Sequence, residues 1–354
     1  MRWGVRSLRA LLRPEGRHAA EPKTAVWDDA GRTFRNIWRH LVHATDRKYP
    51  LKRRRPNAIV LQMGKVGSTS IRAGLCARGI NAFHSHRLSP AMQQRALRHV
   101  LESDLTVRVV SRDLRKHIQN VALHALARWY EQHKRYEGHK LRVVTLTRDP
   151  VTRYPSGFVY RWNAMRSRIA AWHRFRSGAP ADAPLQEAAM LQDLIAEVTA
   201  IVAECRPSDG QAGLERCFVL AQERWPSHPV IRSELGHMLA PLTWFDREIG
   251  DLFGLDMLAA AELRERGWAE RSNDWVDIQV LRFEDLASLV PQLARFVGLA
   301  ELTLPRKNVT AVKPGAADVA NAWKAVLATP TGQACARELR TSAYGRACGY
   351  ERLA

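Results

Sequence analysis

An apolar triplet, Ile59-Val60-Leu61, runs into Gln62-Met63-Gly64-Lys65-Val66-Gly67-Ser68-Thr69-Ser70-Ile71, and this succession constrains the fold more than any other part of the chain. Consecutive branched apolar residues suit a strand buried on both faces, the kind found in parallel sheets. Beyond it, Ile71 and Leu75 recur at helical spacing and Gly79 ends the pattern, so the segment predicts a strand over 58–63, a turn, and a helix over 68–78. Such a helix start presents unsatisfied backbone N–H groups and the positive end of its dipole, a natural seat for a phosphate. Gly64 and Gly67 allow close backbone approach, Lys65 adds a mobile cation, and Ser68, Thr69 and Ser70 add hydroxyl donors. The lysine precedes the last glycine, whereas the nucleoside-triphosphate loop G-x-x-x-x-G-K-[ST] places it after. That order argues against an ordinary ATPase. On this segment alone, a Gly/Ser-rich turn with no ligand is the alternative.

A second apolar run, Leu141-Arg142-Val143-Val144-Thr145-Leu146-Thr147, leads into Arg148-Asp149-Pro150-Val151-Thr152-Arg153-Tyr154-Pro155-Ser156. Asp149 suits a helix cap and Pro150 the first helical position, which would project Arg148 from the strand's end. Ser156 follows about two turns on. An Arg-Asp-Pro at a strand end is by itself often a surface cap, but beside the first loop it suggests a second phosphate site on one nucleotide. Pro155 lacks an N–H and disfavours helical geometry at Tyr154, so a displaced Ser156 is expected.

These two segments resemble the 5′-phosphosulfate loop and the 3′-phosphate motif of sulfotransferases that use 3′-phosphoadenosine-5′-phosphosulfate (PAPS). Gln279-Val280-Leu281-Arg282-Phe283-Glu284-Asp285-Leu286 is similar to the family's late strand-to-helix segment. Leu242-Thr243-Trp244-Phe245-Asp246-Arg247-Glu248-Ile249 resembles a bacterial branch described as capsular-polysaccharide-synthesis or sulfotransferase-like. The resemblance spans roughly 57–350 and is thin over 165–232. It implies a P-loop-like parallel β-sheet flanked by helices, with PAPS as co-substrate and no essential metal. By the same resemblance Gly64, Val66, Gly67, Ser68, Thr69 and Ser70 would surround the 5′-phosphate, and Lys65 would neutralise the departing adenosine bisphosphate. Arg148 and Ser156 would bind the 3′-phosphate, and Lys313, beside Arg306-Lys307-Asn308, falls where relatives place a basic loop over the nucleotide. The pair in Phe83-His84-Ser85-His86 resembles the His-x-His of uronyl 2-O-sulfotransferases, in which the second histidine is the base. His86 is thus the expected base and His84 the next candidate, while two histidines on one face of an extended segment remains the structural reading.

At 354 residues the chain is long enough for a sizeable core. Strands at 58–63, 80–84, 142–147 and 278–283, with helical stretches between, predict an α/β domain over 57–354 whose ligand lies at the carboxyl ends of the strands. Residues 106–110 suit a further strand, while Arg112-Asp113-Leu114-Arg115 equally suits the start of a helix continuing through Ala122 to Tyr136. Residues 1–56 form a basic N-terminal segment ending near Lys52-Arg53-Arg54-Arg55, either a frayed tail or a short amphipathic contact with an anionic membrane. A mostly helical insertion is expected over about 165–240, where Trp162, Trp172 and Trp225 with Arg166, Arg168, Arg174 and Arg176 suit either sugar recognition or packing.

The formal charge of +20 implies an anionic partner: a nucleotide donor, an acidic glycan or a lipid headgroup. Specific nucleic-acid binding is not expected, because the basic residues are dispersed and neither zinc-ligand spacing nor an RNA-binding aromatic pattern occurs. Five cysteines without a CxxC or a regular framework fit a reducing, cytoplasmic setting. The reading is sulfuryl transfer to a hydroxyl of a carbohydrate or glycolipid. Its competitors are a Mg²⁺-dependent phosphotransferase and a noncatalytic polyanion binder.

Overall fold

A computed structural model describes residues 57–94, 112–134, 138–305 and 315–354. The basic N-terminal segment, the candidate strand at 106–110, and Arg306-Lys307-Asn308 with Lys313 lie outside the described residues.

The protein is α/β, with a five-stranded, mostly parallel sheet flanked by helices. β1 (Asn57–Leu61) leads through the Gly64–Lys65 turn into α1 (Ser68–Ala77) and β2 (Asn81–Ser85). α2 (Arg112–His133) precedes β3 (Leu141–Thr147), which feeds α3 (Pro150–Ser177). Then come α4 (Glu187–Cys205), α5 (Gln211–Arg224), α6 (Pro229–Phe245) and a short α7 (Ala261–Arg266). β4 (Trp268–Ser272), β5 (Val276–Arg282) and α8 (Leu286–Phe296) follow, and α9 (Ala316–Leu327), α10 (Pro330–Arg340) and α11 (Ala343–Ala347) complete the helices.

The strand order is β2-β1-β3-β5-β4, with β4 antiparallel to β5 and all other pairs parallel. β1 therefore connects to a neighbour on one side through α1, while the chain resumes with β3 on its other side. This reversal makes the carboxyl ends of β1 and β3 the switch point at which open α/β sheets form ligand crevices. The apolar runs read as central strands are fully enclosed: Ile59, Val60 and Leu61 of β1 and Val143, Val144 and Leu146 of β3 have no solvent exposure. Each such side chain contributes roughly 1.5–3 kcal/mol of burial.

A second core, built wholly of helices, lies beside the sheet core. α3, α4, α5 and α6 supply most of it, and Val319, Trp323, Cys335 and Leu339 of α9 and α10 complete it. The helical insertion expected over 165–240 thus packs together with elements from the far end of the chain. Trp162 and Trp172 are buried in this core, and Trp225 packs edge-on against Trp172 at 5.5 Å. Arg166 pairs with Glu187 and Arg176 with Asp193. Trp162 and Trp172 therefore serve as packing.

Pro155 does not interrupt α3, which runs through it, so Tyr154 is helical against expectation. A proline inside a helix costs about 3 kcal/mol. Here Tyr154 and Phe158 are each 1% exposed, Tyr154 lies 5.1 Å from the Trp323 ring, and its hydroxyl donates to Glu234 at 3.2 Å. Tertiary packing on both sides of the proline offsets the missing bond. Among the described residues no helix is long and apolar enough to cross a membrane.

Candidate functional site

The turn after β1 has an unusual backbone. Gly64, Lys65 and Gly67 all take positive φ, at 86°, 65° and 86°. Glycine suits its two positions, and at Gly67 a Cβ would also lie 3.0 Å from the Phe283 ring. At Lys65 the left-handed conformation costs about 1 kcal/mol or more and persists only where neighbours hold it.

Two arginines from the second turn do so. Arg148 Nη1 donates to the Lys65 carbonyl at 2.7 Å. Arg153 donates through Nη2 to the Met63 carbonyl at 3.0 Å and through Nε to the Gly64 carbonyl at 3.2 Å. Carbonyls of three successive residues thus turn toward guanidinium groups. A trans peptide points its N–H opposite to its C=O, so the N–H groups of Gly64, Lys65 and Val66 face away from the arginines, in the manner of an anion-binding nest. α1 begins immediately afterwards, with no side-chain cap and no acidic residue in its first turn. Ser68 is buried, Ser70 half-buried and Thr69 exposed.

The Lys65 stem passes over α3 beside Gly157, and its ammonium lies against the Tyr160 ring. Arg148 stacks on Phe283 at 4.7 Å, and its Nε is enclosed without a hydrogen-bond partner among the described residues. Burial lowers the Arg148 pKa, with Glu284 and Asp149 opposing. Ser156 is half-buried on α3, next to Gly157.

The second turn is closed by side chains. Asp149, 1% exposed, accepts the Val151 N–H at 3.2 Å as the cap read from sequence. Arg340 donates to both its oxygens, at 3.2 and 2.8 Å. Glu284 accepts the Asp149 N–H at 3.0 Å and the Tyr350 hydroxyl at 2.9 Å. The Tyr344 hydroxyl accepts the Arg148 N–H and donates to the Arg148 carbonyl, both at 3.0 Å.

β2 brings both histidines to the same opening. His86 Nδ1 lies 2.9 Å from the Gln62 carbonyl, which can only accept, so the proton sits on Nδ1 and Nε2 is left as an acceptor. A Cβ on Gly64 would lie 3.6 Å from the His86 ring, and Trp244 Nε1 holds the His86 carbonyl at 3.1 Å. Desolvation of the packed ring edge lowers the His86 pKa, the Gln62 carbonyl opposes, and Lys65, Arg87 and Arg153 lower it further. The residue's outer face stays exposed, which limits desolvation and leaves the three cations as the firmer cause. His84 sits edge-on to His86 at 4.5 Å and its Nε2 is 3.4 Å from the Gln62 amide. Burial first, then His86 and Arg72, pull its pKa to about 3.

The structure therefore gathers Gly64, Lys65, Val66, Gly67, Arg148 and His86 around one opening, with His84 behind His86. Sequence reasoning missed Arg153, Trp244, Tyr344 and Arg340. Arg153 stood in the same Arg-Asp-Pro run, but nothing in its spacing distinguishes a buried clamp from a solvated helix residue. Comparison of the chain with protein-family models, with curated proteins and with solved structures finds no match.

Proposed function

We propose that this protein is a PAPS-dependent sulfotransferase acting on a hydroxyl of a glycan or glycolipid. The observation that carries the reading is the convergence, at the reversal of strand order, of a carboxylate-free backbone nest with Lys65 and a histidine whose Nε2 is an acceptor. On this reading the fold is P-loop-like, and Gly64, Val66, Gly67, Ser68, Thr69 and Ser70 receive the donor's 5′-phosphate. Arg148 and Ser156 receive the 3′-phosphate, and Lys313 would belong to a basic loop over the nucleotide.

His86 Nε2 takes the proton of the acceptor hydroxyl as its oxygen attacks the sulfur. The bond from sulfur to the bridging oxygen breaks, the electron pair stays on the 5′-phosphate, and Lys65 neutralises the developing charge. The products are the sulfate ester and adenosine 3′,5′-bisphosphate. His84, with its pKa near 3 and Nε2 beside Gln62, is the weaker base. Five cysteine thiols support a reducing, cytoplasmic place of action.

The Mg²⁺-dependent phosphotransferase would use Asp149 as metal ligand. Both Asp149 oxygens are already engaged by Arg340 and one also caps α3, so a cation would have to displace a buried ion pair. Calorimetric titration with adenosine 3′,5′-bisphosphate, AMP and ATP, without and with Mg²⁺, tests the reading. Selective metal-free binding of the bisphosphate is expected. Mg²⁺-dependent preference for ATP would overturn it, as would salt-quenched binding indifferent to the 3′-phosphate.

A further inference from the structure

Arg153 is 8% exposed and is the most enclosed cation at the opening, yet among the described residues every hydrogen-bond partner it has is a backbone carbonyl. Buried cations usually face a carboxylate. The fully buried carboxylate of α6, Glu234, is taken: Arg161 donates to both its oxygens, at 2.9 and 2.6 Å, and Tyr154 donates to one of them. Among the described residues no carboxylate therefore pairs with Arg153 beneath the turn, and desolvation lowers its pKa to about 10.

Its third partner explains how it is anchored. Arg153 Nη1 donates to the His237 carbonyl at 3.1 Å, within α6. In a regular helix that carbonyl would receive the N–H of the residue four positions on, and here that residue is Pro241, which has none. The proline leaves an acceptor exposed on the side of α6, and the guanidinium fills it. One planar fork thereby ties Met63 and Gly64 of the turn to α6, from its own place on α3. A lysine would keep the charge but lacks the fixed fork.

We propose that Arg153 is a positioning residue of the donor cradle: it holds the Met63 and Gly64 peptides with their carbonyls inward and their N–H groups outward, anchored on the carbonyl that Pro241 leaves open. The proposal rests on the donor reading above. It makes the strained Lys65 backbone a consequence of clamping from both sides, Arg153 on Gly64 and Arg148 on Lys65 itself. It also assigns the buried charge a purpose, attraction of an anion that the backbone then fits.

The test uses the full chain with Arg153→Ala and Arg153→Lys, titrated calorimetrically with adenosine 3′,5′-bisphosphate and with inorganic pyrophosphate. Arg153→Ala is expected to weaken bisphosphate binding by about tenfold or more, and added guanidinium ion is expected to restore most of it by filling the vacated space. Arg153→Lys is expected to remain weakened by at least about threefold, and amide exchange to quicken at 63–67 while the sheet core stays protected. Should Arg153→Ala fail to fold, the lysine variant carries the test alone. Wild-type affinity in Arg153→Lys, or in Arg153→Ala without guanidinium, would overturn the clamp and leave the donor reading intact. A wild-type chain that binds neither anion would instead remove the donor reading, and the clamp's purpose with it.

Discussion

The two strand-to-helix turns at the switch point are built from opposite materials. After β1, the turn is backbone: glycines at positive φ, peptide groups, and an α1 start with neither a side-chain cap nor a carboxylate. After β3, the turn is side chain: Asp149 caps α3 and pairs with Arg340, Glu284 and Tyr344 hold the adjoining peptides, and Tyr350 closes on Glu284 and on Thr147. The second turn is satisfied by the protein itself, and its two arginines reach across to hold the first. The difference teaches that one turn can be kept free of side-chain caps because its neighbour is sealed. The sealed turn supplies rigidity, and the open one turns its N–H groups away from the arginines that hold its carbonyls.

The comparison breaks most visibly at Lys65, the one cation borne by the open turn. Lys65→Ala is expected to lower sulfuryl transfer by about 10³-fold, equivalent to roughly 4 kcal/mol, because charge on the leaving phosphate is no longer met. Its fold should persist, since the side chain is half-buried and lies over α3. Transfer assays alongside circular dichroism check both halves, and full turnover in the variant would remove Lys65 from the mechanism.

In the sealed turn the large effect should fall on stability instead. Arg340→Ala leaves Asp149, 1% exposed, without its ion partner, and removing one member of a buried pair costs about 3–5 kcal/mol. A urea midpoint that falls accordingly, with metal-free nucleotide affinity much less affected, is the expected outcome. An unchanged midpoint would show that the turn is not held this way.

How much of this was legible in sequence depended on whether one residue's neighbours were local. β1, β3 and β5 were legible because their apolar runs are buried on both faces, and the Asp149-Pro150 helix start because capping is decided within a few residues. β4 was not, since Trp268-Ala269-Glu270-Arg271-Ser272 is an antiparallel edge with only Ala269 buried, and edge strands carry polar residues. The passage of α3 through Pro155 was misjudged because Trp323 and Glu234, which hold Tyr154, are remote in the chain. Arg153 escaped for the same reason: its partners come from two segments remote from it in the chain, and one of them is an acceptor created by a proline on α6.

His86 sharpens the comparison, since it joins the open turn through Gln62 and Gly64. His86→Gln is expected to slow transfer by about 10²-fold, the lower end for general-base catalysis. The pH dependence has a definite sign. The base must be neutral, and a lowered pKa means that protonation sets in at lower pH than for ordinary histidine. The acid limb of kcat/KM should therefore lie below about 6.5, and should vanish in the glutamine variant. A limb above that value, or one that survives the substitution, would assign the proton to another group.

The smallest expected effect is also the most selective between the two turns. The Tyr344 hydroxyl serves both polar groups of the Arg148 main chain, donating to its carbonyl and accepting from its N–H. Tyr344→Phe keeps the buried ring, which packs 6.1 Å from Phe245, and removes those two bonds together with the hydroxyl's contact to the Cys348 thiol. Leaving two backbone groups without that partner costs about 1–2 kcal/mol. Because Arg148 Nη1 also holds the Lys65 carbonyl, loosening its main chain should pass to the open turn as a loss of about threefold in bisphosphate affinity, small beside Lys65→Ala. Calorimetry and thermal unfolding on the same sample separate the outcomes. A stability loss with unchanged affinity would mean that the sealed turn supports itself alone, and the link between the turns would then rest on Arg153.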